Sequence, residues 1–150
     1  MEYIKQRLSP ATRIINPITG CDSFGVFPEI TRPDVCFSGG PIYLRYGRHH
    51  GPQRGWGLEH IWQARFPLCE DISEAKKLVT QLVNGILVSG ASIHYEFVGM
   101  GSAAQRSSVF RSHTGVVVVE ERQDGQNAVF YNIVTAIATP KVNGPKIGAI

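Results

Sequence analysis

Residues 71–86, DISEAKKLVTQLVNGI, fix the helical half of the fold. Asp71 and Glu74 form the D-x-x-E pattern of a capping box, in which side chains close the open N–H groups of a first helical turn. Ile72, Ala75, Leu78, Val79, Leu82, Val83 and Ile86 then recur at three and four residues, the spacing of one apolar helix face. This predicts a long amphipathic helix ending near Gly90. Downstream the period changes. Residues 92–98, 109–111, 115–121 and 128–136 are β-branched or aromatic runs, and the last two flank Asp124-Gly125, a hairpin signal. Helices followed by strands predict an α+β domain, with N-terminal helices packed on one face of a twisted antiparallel sheet.

Upstream stands the stretch 46–66, YGRHHGPQRGWGLEHIWQARF. Gly47, Gly51, Gly55 and Gly57 allow backbone conformations closed to other residues, and Pro52 stiffens the loop. Leu58, Ile61 and Trp62 then take helical spacing, predicting a short helix over 58–65 stopped by Pro67. From Pro41 to Phe66 four arginines (Arg45, Arg48, Arg54, Arg65) face one acid, Glu59, so this segment alone matches the chain's net charge of +3. A glycine-rich basic loop at a helix start suits an anion such as phosphate.

Residues 9–41 are broken by five prolines and four glycines, which predicts loops and short extended pieces. They read as a lead-in segment or a wrap across the surface, with Phe24, Val26, Phe27, Val35 and Phe37 partly buried. Residues 42–46 read as a short strand. The expected division is a lead-in over 1–41, a domain over 42–138 and a flexible tail over 139–150, where Gly144-Pro145 and Gly148 argue for a mobile end.

With 150 residues, 43% hydrophobic and 18% charged, the chain suits one compact domain with a real core. A mild +3 points to a local patch for any nucleic-acid contact. Cys21, Cys36 and Cys69 are odd in number and lack C-x-x-C spacing, which argues against a disulfide framework or a zinc ribbon, while a single Cys21–Cys36 bridge stays open. Glu2, Lys5 and Arg7 are followed by no apolar segment, and no run is long enough to cross a bilayer, so a soluble chain is expected.

His60 is the first candidate for proton transfer, with Arg48 or Arg54 to hold a substrate anion. A capping histidine fits the spacing equally well, and Glu59 suits the positive end of a helix dipole. His49 and His50 with His60, His94 or His113 invite a metal. That reading is weak, since adjacent histidines diverge and the surrounding charge is positive. The segment RSSVFRSHTG gathers Arg106, Arg111, Ser112, His113 and Thr114, donors able to hold a phosphate, or else a polar strand end bonding its own backbone.

Taken in order, the RYG lead, the basic glycine loop, GLEHI opening a helix, a long second helix, FRS-x-x-GVVV and the final strand YNIVTA resemble the BECR ribonuclease superfamily. This group takes in barnase-like, EndoU-like, colicin-like and RelE-like nucleases. The resemblance covers residues 42–138. It implies a metal-independent endoribonuclease toxin with no cofactor, cutting tRNA or other RNA by attack of the ribose 2′-hydroxyl to leave a 2′,3′-cyclic phosphate. It further implies a toxin module of a contact-dependent growth inhibition or related delivery system, secreted or cell-surface-delivered, acting in the target-cell cytoplasm and neutralised by a cognate immunity protein. The implied catalytic residues are His60, Arg111 and Thr135. Arg48, His49, His50, Arg54, Trp56, Ser112 and His113 would bind substrate. Many relatives close the helix motif with a second histidine where this chain has Arg65-Phe66, leaving His49, His50 and His113 as candidates for the acid–base partner.

Two rivals differ in kind. A non-catalytic RNA- or protein-binding module would use the same basic loop without needing His60. An ADP-ribosyltransferase toxin would bind NAD through Arg45 and a strand serine and use Glu120-Glu121, but no Gln/Glu-x-Glu motif accompanies that pair.

Overall fold

The computed structural model describes residues 8–52, 54–95 and 107–150. The chain runs β1 (Ser23–Phe27), β2 (Ile30–Thr31), β3 (Cys36–Phe37), β4 (Gly40–Tyr43), β5 (Arg48–Gly51), β6 (Arg54–Trp56), α1 (Gly57–Arg65), α2 (Ile72–Ile86), β7 (Ser92–Tyr95), β8 (Ser107–Arg111), β9 (Val116–Gln123), β10 (Val129–Ile137) and β11 (Lys146–Ala149). The expected α+β class is observed, but the sheet is mixed. Seven strands lie in the order β1-β4-β10-β9-β8-β7-β11, and β4 runs parallel to β10 where every other neighbouring pair is antiparallel. A parallel pair needs a long crossover, which here contains both helices. β2 with β3, and β5 with β6, form two small separate hairpins.

The Asp71 carboxylate accepts the Ser73 N–H at 3.2 Å and opens α2. Ala75, Val79, Val83 and Ile86 are buried, as their spacing requires, and the helix stops at Leu87, before Gly90. Leu58, Ile61 and Trp62 of α1 are fully buried beside them. The sheet face they cover carries Phe110, Val117 and Ala136, which stand opposite one another on β8, β9 and β10. Trp62 joins the core through its rings while its Nε1–H donates to the Cys69 carbonyl at 2.7 Å.

The loops and short strands expected over 9–41 are observed, but two expectations need correction, the separate lead-in and the mobile tail. Residues 9–41 supply β1 of the main sheet, and Phe27 and Phe37 are fully buried in the common core. Phe27 stacks on Tyr131 at 4.0 Å and meets Phe110 edge-on at 5.6 Å. Frequent prolines and glycines limited the length of these strands without removing their buried aromatics; Val26, expected inside, is 65% exposed. The tail is no mobile end. β11 pairs with β7, Ile147 is buried, and the Ile150 N–H donates to the Ala91 carbonyl. The hairpin expected at Asp124-Gly125 is observed, with residues 124–128 joining β9 to β10. The Asp124 carboxylate accepts the N–H groups of Gln126 and Ala128, and the left-handed residue is Asn127, at φ 64°.

The predicted strand over 92–98 is β7, with residues 96–98 outside the described ones, as are Arg106 and the N-terminal Glu2, Lys5 and Arg7. Cys21 and Cys36 are not joined by a disulfide.

Candidate active site

β4 meets β10 only at Tyr131 and Asn132, after which the chain leaves the sheet, folds back as the β5–β6 hairpin and enters α1. The first amides of that helix are already satisfied: Leu58 N–H donates to the Arg45 carbonyl at 2.9 Å and Glu59 N–H to the Tyr46 carbonyl at 2.8 Å. An anion at the helix start, the use the glycine loop suggests, is therefore not what these groups serve. Gly57 makes the tight join, at φ 83°, with its Cα beside the turn at Arg45–Gly47.

The hairpin lies over His60. His49 and His60 stack at 5.1 Å between ring centroids, their Nδ1 atoms are 3.0 Å apart, and His60 is only 4% exposed. Glu59, fully buried, fixes the neighbour by accepting the His49 backbone N–H at 2.8 Å. Gly55, opposite His49 across the hairpin, is what admits the imidazole: a side-chain carbon there would stand 2.9 Å from His60 Nδ1 and overlap the Arg48 carbonyl. Burial first, then the charges of His49, Arg65 and His50, push His60 below the usual histidine range. His60 is therefore favoured neutral.

The short Nδ1–Nδ1 contact dictates the chemistry of a neutral pair. One ring donates its Nδ1–H and so carries a bare, basic Nε2. The other accepts at Nδ1 and so carries an Nε2–H. A proton acceptor and a proton donor are thus generated together, by one hydrogen bond.

Beyond Asn132 the edge of β10 that β4 has left is open, and a register shift between Ile133 and Thr135 bends it. Arg65, at the end of α1, occupies this gap, donating Nε–H to the Ala136 carbonyl at 3.0 Å and a terminal N–H to Thr135 Oγ1 at 3.4 Å. Burial lowers its affinity for its proton somewhat, yet a guanidinium stays charged. Arg65 lies five positions after His60 on the same helix, and its charge helps to lower the proton affinity of that imidazole.

Other residues singled out in the sequence are placed less centrally. Arg48 caps the carbonyls of Leu8 and Gly47, both at 2.9 Å, and Arg54 and His50 are exposed on the hairpin. Arg111 is exposed on β8, across β9 from β10, and its Nε–H is held by the Pro140 carbonyl at 2.8 Å, past the end of β10. Among the described residues no hydrogen bond or ion pair joins Arg111 to His60 or Thr135. Ser112 and Thr114 close their own turn, with Thr114 N–H on Ser112 Oγ at 3.4 Å, and His113 is exposed there. His94 is fixed between Ser92 Oγ (2.9 Å) and the Gly144 carbonyl (3.0 Å). Among the described residues no three or more histidine, cysteine, aspartate or glutamate side chains are arranged to hold a metal ion.

The sequence reading did not single out Arg65 as a candidate, because its partners Thr135 and Ala136 lie 70 and 71 positions away. It also passed over Arg45 as a partner of Asn132, whose Oδ1 accepts the Arg45 Nε–H at 2.9 Å inside the protein. Trp56, which was singled out, lies 4.6 Å from that guanidinium. No protein-family model matches the chain, and no curated protein or solved structure matches it. No helix among the described residues is long and apolar enough to cross a membrane.

Proposed function

We propose that the protein is an endoribonuclease, a toxin module of the BECR kind that cleaves tRNA or other RNA and is neutralised by a cognate immunity protein after delivery into a target cell. The observation that carries this reading is the His49–His60 contact at 3.0 Å, with Arg65 of the same helix holding Thr135. The imidazole with the bare Nε2 takes the ribose 2′-hydroxyl proton, the freed oxygen attacks the adjacent phosphorus, and the imidazole bearing Nε2–H protonates the departing 5′-oxygen. A 2′,3′-cyclic phosphate and a 5′-hydroxyl result. Each proton transfer of this kind contributes about 10²–10⁴-fold in rate. Arg65, with Thr135, would stabilise the additional negative charge on phosphorus, the role the resemblance assigns to Arg111.

Incubation with total cellular RNA, followed by mapping of new 2′,3′-cyclic ends, tests the reading directly. His60→Ala and His49→Ala are each expected to reduce cleavage by at least about 100-fold while RNA affinity stays within a few-fold. Cleavage at the wild-type rate in both variants would remove the pair from the mechanism. The burial of His60 favours a second reading, a non-catalytic RNA-binding module in which the stacked rings only fasten the hairpin. That reading requires no new RNA ends at any protein concentration.

A further inference from the structure

One cluster is used by none of the chemistry above; Phe130 in it is buried, Tyr43, Arg45 and Trp56 are half-buried and Arg13 is exposed. Arg13 lies 4.0 Å over the ring of Tyr43, Tyr43 meets Phe130 at 5.5 Å, Phe130 lies 5.2 Å from the guanidinium of Arg45, and Arg45 lies 4.6 Å over Trp56. Guanidinium planes and aromatic rings thus form one unbroken series, Arg13, Tyr43, Phe130, Arg45 and Trp56. The order is not given by the sequence, since its members come from the segment before β1, from β4 and the turn after it, from β6 and from β10. The sheet register builds it: Tyr43 stands beside Asn132 across the parallel pair, and Arg13 bridges to Arg45.

The ladder is basic as well as aromatic. Arg45 is drawn below its ordinary range by burial and then by Arg122, against the opposing pull of Glu120, and Arg13 adds a further positive charge. Glu120 is engaged by Arg122 at 2.6 Å, and Asp22 meets Arg13 at 3.2 Å with both side chains near 40% exposed. Asp22 is thus a loose partner that a phosphate can displace. Arg45 donates its Nε–H to Asn132, which sets the plane of the guanidinium between two rings. At its far end the ladder stops at Trp56, next to Gly55, which packs on His60.

We infer that this ladder is a binding track for an unpaired nucleic-acid strand, which it leads to the imidazole pair. Its chemistry is the one such strands select. Bases with both faces free stack on aromatic rings and guanidinium planes, whereas a duplex keeps its bases stacked on each other and offers only phosphates. Arg45 between the rings and Arg13 at the end supply charge for the phosphates. The inference rests on the reading of the protein as one that acts on RNA, and adds that the substrate segment is single-stranded and enters past Arg13.

The test uses a fluorescent 2′-O-methyl oligoribonucleotide of mixed sequence, which lacks the attacking hydroxyl, so wild-type protein can be titrated by anisotropy. The single strand should bind clearly more tightly than the same strand in a duplex. Trp56→Ala should weaken single-strand binding about tenfold, the usual size of one lost base–aromatic stack. Arg13→Ala, at an exposed position, should weaken it and lower the salt dependence by about one ion. Circular dichroism and a thermal melt establish that each variant is folded, and the exposed Arg13 variant keeps the test open if Trp56→Ala is not. Equal affinity for strand and duplex, or unchanged binding in both variants, overturns the track. Single-strand binding of this pattern by a protein that leaves cellular RNA intact would overturn the proposed activity and leave the track standing. RNA cleavage with unaltered KM in both variants would do the reverse.

Discussion

Replacing Gly55 by alanine is the sharpest probe of how the imidazole pair is held. Gly55 sits at φ 134°, a conformation side chains rarely adopt, which costs about 1–3 kcal/mol. The added carbon would also overlap the Arg48 carbonyl and stand 2.9 Å from His60 Nδ1 and 3.0 Å from His49 Cα. Backbone on one side and a buried ring on the other leave it nowhere to go, so the hairpin must lift. Gly51 provides the control. Its φ is 152°, also in the region that side chains disfavour, yet a side-chain carbon there meets nothing within 4 Å. Gly51→Ala should therefore show the backbone cost alone, and Gly55→Ala that cost plus roughly another 1–2 kcal/mol of overpacking. Urea unfolding followed by tryptophan fluorescence reads the difference, which at a slope of about 2 kcal/mol/M appears as a midpoint lower by roughly 0.5–1 M. Lifting the hairpin also readmits water to His60, so its titration, followed by NMR of the imidazole, should rise towards the ordinary histidine range in Gly55→Ala and not in Gly51→Ala. Equal midpoints for the two variants, with His60 titrating as in the parent, would refute the view that the hairpin is closed onto the ring.

Three further outcomes are expected. Because the folded protein holds His60 below its unfolded value of about 6.5, the unfolded chain binds the proton more readily. The stability that this group contributes is then present above about pH 6.5 and is lost as pH falls towards the lowered folded value. Urea midpoints between about pH 7.5 and 5 should show a decline that His60→Gln flattens. Arg65→Lys keeps the charge but cannot reach both the Ala136 carbonyl and Thr135. It should cost about 1–2 kcal/mol in the same assay, and, if Arg65 steadies the phosphorus, lower kcat with little change in KM. Deleting residues 146–150 removes buried Ile147 and uncovers the edge of β7, so the loss should be at least about 1.5–3 kcal/mol. A truncated protein with the parent's melting temperature would contradict the pairing of β11.

What the sequence reveals here is what short-range rules control. The period of α2, the capping Asp71 and the glycine before α1 are local signals, and both helices lie where those signals put them. The pairing of β4 with β10 and of β11 with β7 joins residues far apart in the chain, and no window of sequence contains it. A tail of prolines and glycines therefore reads as loose, although one buried isoleucine and one free strand edge decide its place. In the site, His60 stands out because of its helix, but only the hairpin register, which sets His49 against Gly55, distinguishes His49 from its neighbour His50. Arg111 attracts notice through the hydroxyls around it, while the strand between it and β10 cannot be seen until the sheet order is known. Arg65 is hidden for the same reason, since its partners belong to a strand edge left open by the shortness of β4.

That dependence on distant partners bears on when the molecule becomes competent. Arg45 reaches Asn132 across 87 positions and Arg65 reaches Thr135 across 70, whereas His49 and His60 are only 11 apart. Contacts that span so much chain must overcome loop-closure entropy first and belong to the slow part of folding. A chain that has made only its helices and hairpin owns two imidazoles and Arg65, but no β10 edge to fix that guanidinium. Competence should consequently arrive in a single late step, when β10 enters the sheet, and partly folded molecules should be inert rather than weakly active.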